Sequence, residues 1–183
     1  MKILAFGASS NSNSINQKLA LYAASQFTNA SIETIDLNEF EMPLYSLDKE
    51  KTIGIPTAAK IFIDKIKEAE FIIISLAEHN GSYSVVFKNL FDWASRVNIK
   101  TFMGKPMLLM ATSTGKRGGK SVLEAALSRF PYHDGKIIAT FLLPEFNKNY
   151  NPDLGIINDE IKTEFQHIIK NIEVELTANK IQA

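Results

Sequence analysis

The chain of 183 residues contains no cysteine. That absence excludes disulfides, thiolate nucleophiles, zinc–thiolate centres and iron–sulfur clusters together. Any redox chemistry must therefore be carried by an organic cofactor. Net charge is also lacking, since 20 Lys and Arg balance 20 Asp and Glu. Nothing global steers the protein toward nucleic acid or an anionic membrane, so neither partner is expected. No apolar run approaches the roughly 20 residues of a membrane span, and the run at residues 3–6 is too short for a signal peptide. A cytoplasmic location is the default expectation. The 3 histidines show no paired His/Asp spacing, and no metal site is expected. With no repeat, linker or low-complexity segment, and 45% hydrophobic residues, the expectation is one domain over residues 1–183.

What the chain does have is an alternation of short Ile/Leu/Val-rich runs with longer helix-period segments, the pattern of βαβ units. Strands are expected over 2–6, 31–37, 70–76, 106–112 and 136–143. The third and fourth are apolar on both faces, as buried parallel strands are. Helices are expected over 14–27, 56–69, 84–97, 120–130 and 158–176, with residues 38–55 left as a long irregular connection of the kind that is usually functional or disordered. In the first helix Ile15, Leu19, Tyr22, Ala23 and Phe27 fall on one face; in the last, Ile161, Phe165, Ile168, Ile169, Ile172 and Leu176 do so. Right-handed crossovers then give an α/β, flavodoxin-like three-layer sandwich. Its five-stranded parallel sheet has order 2-1-3-4-5, with the ligand crevice at the carboxyl ends of the first and third strands.

Three polar loops meet at that edge. The first runs from Gly7 through Ser9, Ser10, Asn11, Ser12, Asn13, Ser14 and Ile15 to Asn16, between a strand and a helix. The first helical N–H groups lack intrahelical partners and the positive end of the helix dipole faces the loop, so the site suits a phosphate. The hydroxyls and amides around it add donors. No basic side chain is present, which suits a monophosphate better than a triphosphate. The plainer reading is a Ser/Asn-rich N-cap. The second loop, Ala77-Glu78-His79-Asn80-Gly81-Ser82-Tyr83, puts charge, imidazole, amide and hydroxyl between a strand and a helix; alternatively it is a polar crossover with a glycine turn. The third follows the fourth strand and includes Ser113, Thr114, Gly115, Lys116, Arg117, Gly118 and Gly119.

These residues carry a family resemblance. Ala8-Ser9-x-Asn11-x-x-Ser14-x-Asn16 resembles the Gly-Ser-x-Arg-x-x-Ser-x-Asn loop of the NADPH-dependent FMN reductases, which include azoreductases and chromate and quinone reductases. Glu78-His79-Asn80-Gly81-Ser82 with Phe87-Lys88-Asn89-x-x-Asp92-Trp93 is similar to their Pro-Glu-Tyr-Asn-x-Ser and Leu-Lys-Asn-x-x-Asp-Trp block. Ser113-Thr114-Gly115-x-x-Gly118-Gly119 resembles their third flavin loop. Ala8 stands for the family Gly, Asn11 for the Arg, and Ala77-Glu78-His79 for Pro-Glu-Tyr. The Arg-to-Asn change removes a charged phosphate contact while leaving the dipole and amide donors.

The resemblance implies FMN as cofactor and NADPH or NADH as reductant. It places Ser9, Asn11, Ser14 and Asn16, with Ile15 among them, around the 5′-phosphate. Glu78, His79, Asn80, Gly81 and Ser82 would line the ribityl chain and one ring edge, mostly through backbone; Ser113, Thr114 and Gly115 would border the other. The activity implied is hydride transfer from the nicotinamide to FMN, then to a second small molecule: free flavin, a quinone, an azo or nitro compound, or a metal oxyanion. No side-chain acid, base or nucleophile is required, so no catalytic residue is named. Lys116 and Arg117 are assigned to the 2′-phosphate of NADPH, or else are solvated loop charges. A homodimer or homotetramer is implied, with the helix around Phe87, Phe91 and Trp93 and residues 38–55 as contributors.

Rival readings are weaker. Gly115-Lys-Arg-Gly-Gly-Lys-Ser121 approaches a Walker loop, but Thr114 occupies the position of its first glycine. The first loop lacks the later glycines of a dinucleotide fold. A flavodoxin-type electron carrier without reductase turnover remains the alternative, although carriers commonly dock through strongly charged faces.

Overall fold

The computed structural model describes residues 1–181, with side chains as far as Ala178. In chain order its elements are β1 (Lys2–Ala8), α1 (Ile15–Ser25), β2 (Ser31–Thr34), α2 (Leu47–Ile53), α3 (Thr57–Glu68), β3 (Phe71–Leu76), the hairpin β4 (Glu78–His79) and β5 (Ser82–Tyr83), α4 (Val85–Val97), β6 (Pro106–Thr112), α5 (Lys120–Arg129), β7 (Lys136–Leu143), α6 (Phe146–Asn149), β8 (Tyr150–Asn151), β9 (Gly155–Ile156) and α7 (Asp159–Ile181). The parallel sheet has the order β2-β1-β3-β6-β7, which is 2-1-3-4-5 among its own strands. The fold is flavodoxin-like.

Alternation along the inner strands builds two cores. Leu4, Phe6, Ile72, Ile74, Met107 and Leu109 face one layer with Phe62 and Ile66 of α3, Phe87, Leu90 and Phe91 of α4, and Val122 and Leu123 of α5. Ile3, Ala5, Phe71, Ile73, Leu108 and Met110 face the other, with Leu19 and Ala23 of α1 and Phe165, Ile169 and Ile172 of α7. Period 2 sends successive side chains to opposite faces, so a strand apolar throughout must be covered on both.

The edges are handled differently. β2 is only four residues long, shorter than the 31–37 expected. It stops because Asp36 accepts from the Asn38 amide at 2.9 Å and turns the chain into a 3₁₀ turn, Leu37–Phe40. At the other edge β7 carries a bulge: Met107 pairs with Ile137 and Leu108 with Ala139, leaving Ile138 as the extra residue.

The stretch expected to be irregular, 38–55, is a correction. Beyond the 3₁₀ turn it contains α2, capped by Ser46, whose hydroxyl accepts from the Lys49 amide at 3.1 Å, and ended by Gly54 at φ 72°. α2 buries no residue, so it leaves no apolar period to read. The segment before it is fastened to α4. Asn89 accepts from the Tyr45 amide at 2.8 Å and donates to the Met42 and Pro43 carbonyls at 3.2 Å. One turn later, the Trp93 indole donates to the Pro43 carbonyl at 2.8 Å. Phe87 and Phe91, 1% and 5% exposed, pack in the core against the sheet, whereas Trp93, 0% exposed, packs edge-on against Tyr45 of the fastened segment. Those three side chains are covered by their own chain, while Val85 of the same helix is 67% exposed.

Candidate cofactor cleft

The carboxyl ends of β1, β3 and β6 meet around a cleft of about 480 Å³ lined by residues of all three polar loops. Its first wall exists because of Gly7. A Cβ there would stand 2.3 Å from the Gln17 backbone nitrogen, so only glycine lets α1 start this close to β1. The loop that follows is held by its own acceptors. Ser9 Oγ accepts from the Asn11 amide at 3.1 Å, Asn11 Oδ1 from the Asn13 amide at 2.9 Å, and Ser14 Oγ, the N-cap of α1, from the Gln17 amide at 3.2 Å. Turns of this type leave the intervening amides facing outward. Among the described residues, no bond within the chain takes up the N–H groups of Ile15 and Asn16 in the first turn of α1. They point, with the helix dipole, toward the cleft.

Asn16 sits deeper, 3% exposed. Its Oδ1 accepts from the Ser75 hydroxyl at 2.7 Å and the Thr112 amide at 3.1 Å, and its Nδ2 donates to the Thr112 carbonyl at 3.2 Å. The β3–β6 ladder ends at Leu76 and Ala111. The carboxamide thus takes the place of a strand peptide at the next residue of β6. It fixes the start of α1 to the carboxyl end of the sheet.

The second loop is a two-residue hairpin, with Glu78 opposite Tyr83 and His79 opposite Ser82. Its turn residues Asn80 and Gly81 have φ of 51° and 77°, the signature of the I′ turn that suits strand twist. Glu78 and His79 line the cleft, and Glu78 Oε2 accepts from the Val122 amide of α5 at 3.1 Å. Behind the hairpin, the Ser84 hydroxyl donates to the Ala8 carbonyl at 2.7 Å while accepting from the Phe87 amide at 3.3 Å. It ties the end of β1 to the start of α4. Tyr83 packs parallel to Phe130. Among the described residues its hydroxyl is buried without a partner, and burial pushes its pKa up to about 12.

The third loop leaves β6 at Thr112, whose hydroxyl donates to the Leu143 carbonyl at 2.7 Å. It is laced to the end of β7, where the Glu145 amide donates to the Gly115 carbonyl and the Phe146 amide to the Ser113 carbonyl, each at 3.0 Å.

The structure brings Ser9, Asn11, Ser14, Ile15, Asn16, Glu78, His79, Ser113 and Thr114 into the cleft wall. Asn80, Gly81 and Ser82 stand exposed at the hairpin turn, and Gly115, Lys116 and Arg117 are exposed beyond the wall. Arg117 donates to the Ser121 hydroxyl at 2.8 Å. Lys116 helps hold the Glu145 carboxyl below its ordinary pKa, secondary to the Lys148 contact at 2.6 Å. Ala77 and Thr112 also line the wall. Thr112 is the last residue of β6 and Ala77 the first after β3, positions readable from the strand runs. The wall holds no Lys or Arg; hydroxyls, amides and backbone N–H groups converge at its α1 end, and that donor set fits a monoester phosphate.

A flavodoxin-like sheet with an uncharged phosphate-type loop and two flanking loops defines a class of cofactor-binding α/β proteins. Residues 1–148 match the family model for NADPH-dependent FMN reductase, and the chain belongs to that family. It is 28% identical over 131 residues to a quinone reductase of Escherichia coli strain K12, covering 70% of this chain and 64% of that protein. It is 33% identical over 120 residues to a 2-hydroxy-1,4-benzoquinone reductase of a Burkholderia species, covering 64% and 63%. In both, the chain spans just under two thirds of the relative's length. A solved flavoenzyme NAD(P)H:(acceptor) oxidoreductase, FerB of Paracoccus denitrificans, superposes with a TM-score of 0.75 at 17% identity, covering 97% of each chain. Among the described residues, no helix is long and apolar enough to cross a membrane.

Proposed function

We propose that this chain is an NAD(P)H-dependent FMN oxidoreductase that passes hydride equivalents to a small-molecule acceptor of the quinone type. The observation that carries the reading is the α1 end of the cleft, where open amides and loop hydroxyls converge without any basic residue. Ser9, Asn11, Ser14 and the amides of Ile15 and Asn16 hold the phosphate. Glu78, His79, Asn80, Gly81 and Ser82 on one side and Ser113, Thr114 and Gly115 on the other flank the ring, and Lys116 and Arg117 receive the 2′-phosphate of NADPH. Bound FMN supplies the two-electron chemistry; the chain supplies orientation, donors for developing negative charge, and a partly dry wall. No residue acts as acid, base or nucleophile. The quinone reductases among its relatives support the acceptor class. The setting is the cytoplasm.

The protein works as a homodimer or homotetramer. Leu44 and Val85, 68% and 67% exposed, stand together beside a second trough that shares Ser10 with the cleft. They are the apolar surface that a second copy covers. Incubation with FMN followed by gel filtration should leave a yellow protein. Anaerobic stopped flow should show it bleached by NADPH and recoloured by benzoquinone. A colourless protein overturns the reading, and a yellow protein that NADPH and NADH leave oxidised supports the electron-carrier alternative instead.

A further inference from the structure

α1, α2 and α4 are each capped by a residue of their own entry turn, Ser14, Ser46 and Ser84. α5 is not. Its N-cap position is Gly119, which has no side chain to offer. Nor can that position accept one: φ is +83°, and a Cβ would stand 2.9 Å from Ala111 Cβ. The amide that an N-cap side chain ordinarily serves is the second or third of the helix. Here the third is Val122, and its partner is the Glu78 carboxylate on the hairpin, 3.1 Å away and 44 positions earlier. The first and fourth amides bond locally, the Lys120 amide donating to the Arg117 carbonyl at 3.0 Å and the Leu123 amide to the Gly119 carbonyl at 3.2 Å.

We propose that Glu78 is a positioning residue: it supplies the cap that α5 lacks and thereby sets the width of the slot between the hairpin and the turn at residues 113–119. The inference rests on the reading of that slot as the flavin site. Glu78 and His79 line one side of the cleft, and Ser113 and Thr114 another. The Glu78–Val122 bond joins the hairpin to α5 through a charged acceptor, and charge-assisted bonds are the strong ones. The carboxylate also occupies the positive end of α5. The first amide of α5 is also taken, by the Arg117 carbonyl, whereas the first amide of α1, that of Ile15, has no bond within the chain among the described residues.

The test compares wild type, Glu78→Gln and Glu78→Ala in two measurements. Hydrogen exchange of the Val122 amide is followed in the apoprotein, and FMN and riboflavin are titrated by flavin fluorescence. Glutamine keeps an oxygen for the Val122 amide but loses the charge, so protection and both affinities should fall by no more than about fivefold, clearly less than with alanine. Alanine should lower Val122 protection at least about tenfold and weaken FMN and riboflavin by a similar factor, about tenfold, because slot width concerns the ring that both share. Three results overturn the proposal: Val122 deprotected with flavin affinity unchanged, glutamine as damaging as alanine, or a loss confined to FMN. A wild-type protein that binds no flavin overturns the FMN reading and the slot-setting role with it.

Discussion

Asn16 offers the sharpest stability test. Replacing it with alanine removes three hydrogen bonds at once and strands the Ser75 hydroxyl, 0% exposed, and both polar groups of the Thr112 peptide, 1% exposed. A buried polar group left without a partner costs about 1–3 kcal/mol, and some of the three can turn or recruit water. A loss of about 3–4 kcal/mol is expected. For a chain of this size, 1 kcal/mol moves Tm by about 2–4 °C, so the midpoint should fall by roughly 6–15 °C. Urea unfolding followed by the single, fully buried Trp93 reads the same quantity. Asn16→Asp gives the internal control. The aspartate is isosteric, and its protonated form can still donate to the Thr112 carbonyl, whereas its carboxylate cannot. Burial and that carbonyl push its folded pKa above the unfolded value of about 3.9, against the Ser75 hydroxyl, the Thr112 amide and the dipole of α1, which favour the anion. Its stabilising contribution is therefore fully present below the unfolded pKa and is lost as pH rises through the folded one. The variant should approach wild type near pH 4 and fall behind at pH 7. A loss below about 1 kcal/mol for alanine, or an aspartate variant that gains on wild type as pH rises, refutes the account.

Further outcomes follow from the same geometry. Tyr83→Phe should hold or gain about 1 kcal/mol at pH 7, since it removes an unpartnered buried hydroxyl. The neutral phenol's contribution is complete below the unfolded pKa of about 10 and fades toward the folded value of about 12, so denaturation at pH 11 should cost wild type more than the variant. Gly7→Ala forces a Cβ to within 2.3 Å of the Gln17 backbone and should destabilise by about 2–3 kcal/mol in urea melts; a neutral result would mean that α1 shifts freely. Ser14→Asp keeps a good N-cap but places a carboxylate beside the phosphate, and isothermal titration should show FMN affinity down at least about tenfold with circular dichroism unchanged. Changing Lys116 and Arg117 together to Ser should raise KM for NADPH about tenfold and leave NADH nearly untouched; equal losses with both would withdraw the 2′-phosphate assignment.

The sheet was legible because its signals are local. Residues 71–74 and 106–111 are apolar without interruption, and a strand covered on both faces needs just that. α2 was not legible, because a helix that buries nothing has no apolar period; only Ser46 and Gly54 mark its ends. The hairpin at 78–83 is too short for alternation, and its clue was the Asn80-Gly81 pair. The three cofactor loops stood out by their small polar residues, but the side-chain commitments did not. Asn16 reaches Ser75 and Thr112 across 59 and 96 positions, and Glu78 reaches Val122 across 44. Phe87, Phe91 and Trp93 show the related limit: spacing tells that a stripe is apolar, not whether its own chain or a second copy covers it.

The Ile138 bulge has a consequence for the molecule's behaviour at high concentration. A sheet of five strands leaves two rims with unsatisfied ladder groups, each able to recruit a foreign strand. β2 is blunted by brevity and by Glu33, held between Lys2 at 2.8 Å and Lys65 at 2.5 Å. β7 is twice as long and carries no such charges between Lys136 and Leu143. There the misfit of one extra residue spoils the repeat that an incoming strand would have to match, and sharpens the local twist. The bulge thus acts as a guard against edge-to-edge polymerisation, and straightening it by deleting Ile138 would leave a shorter, largely apolar strand that is regular throughout.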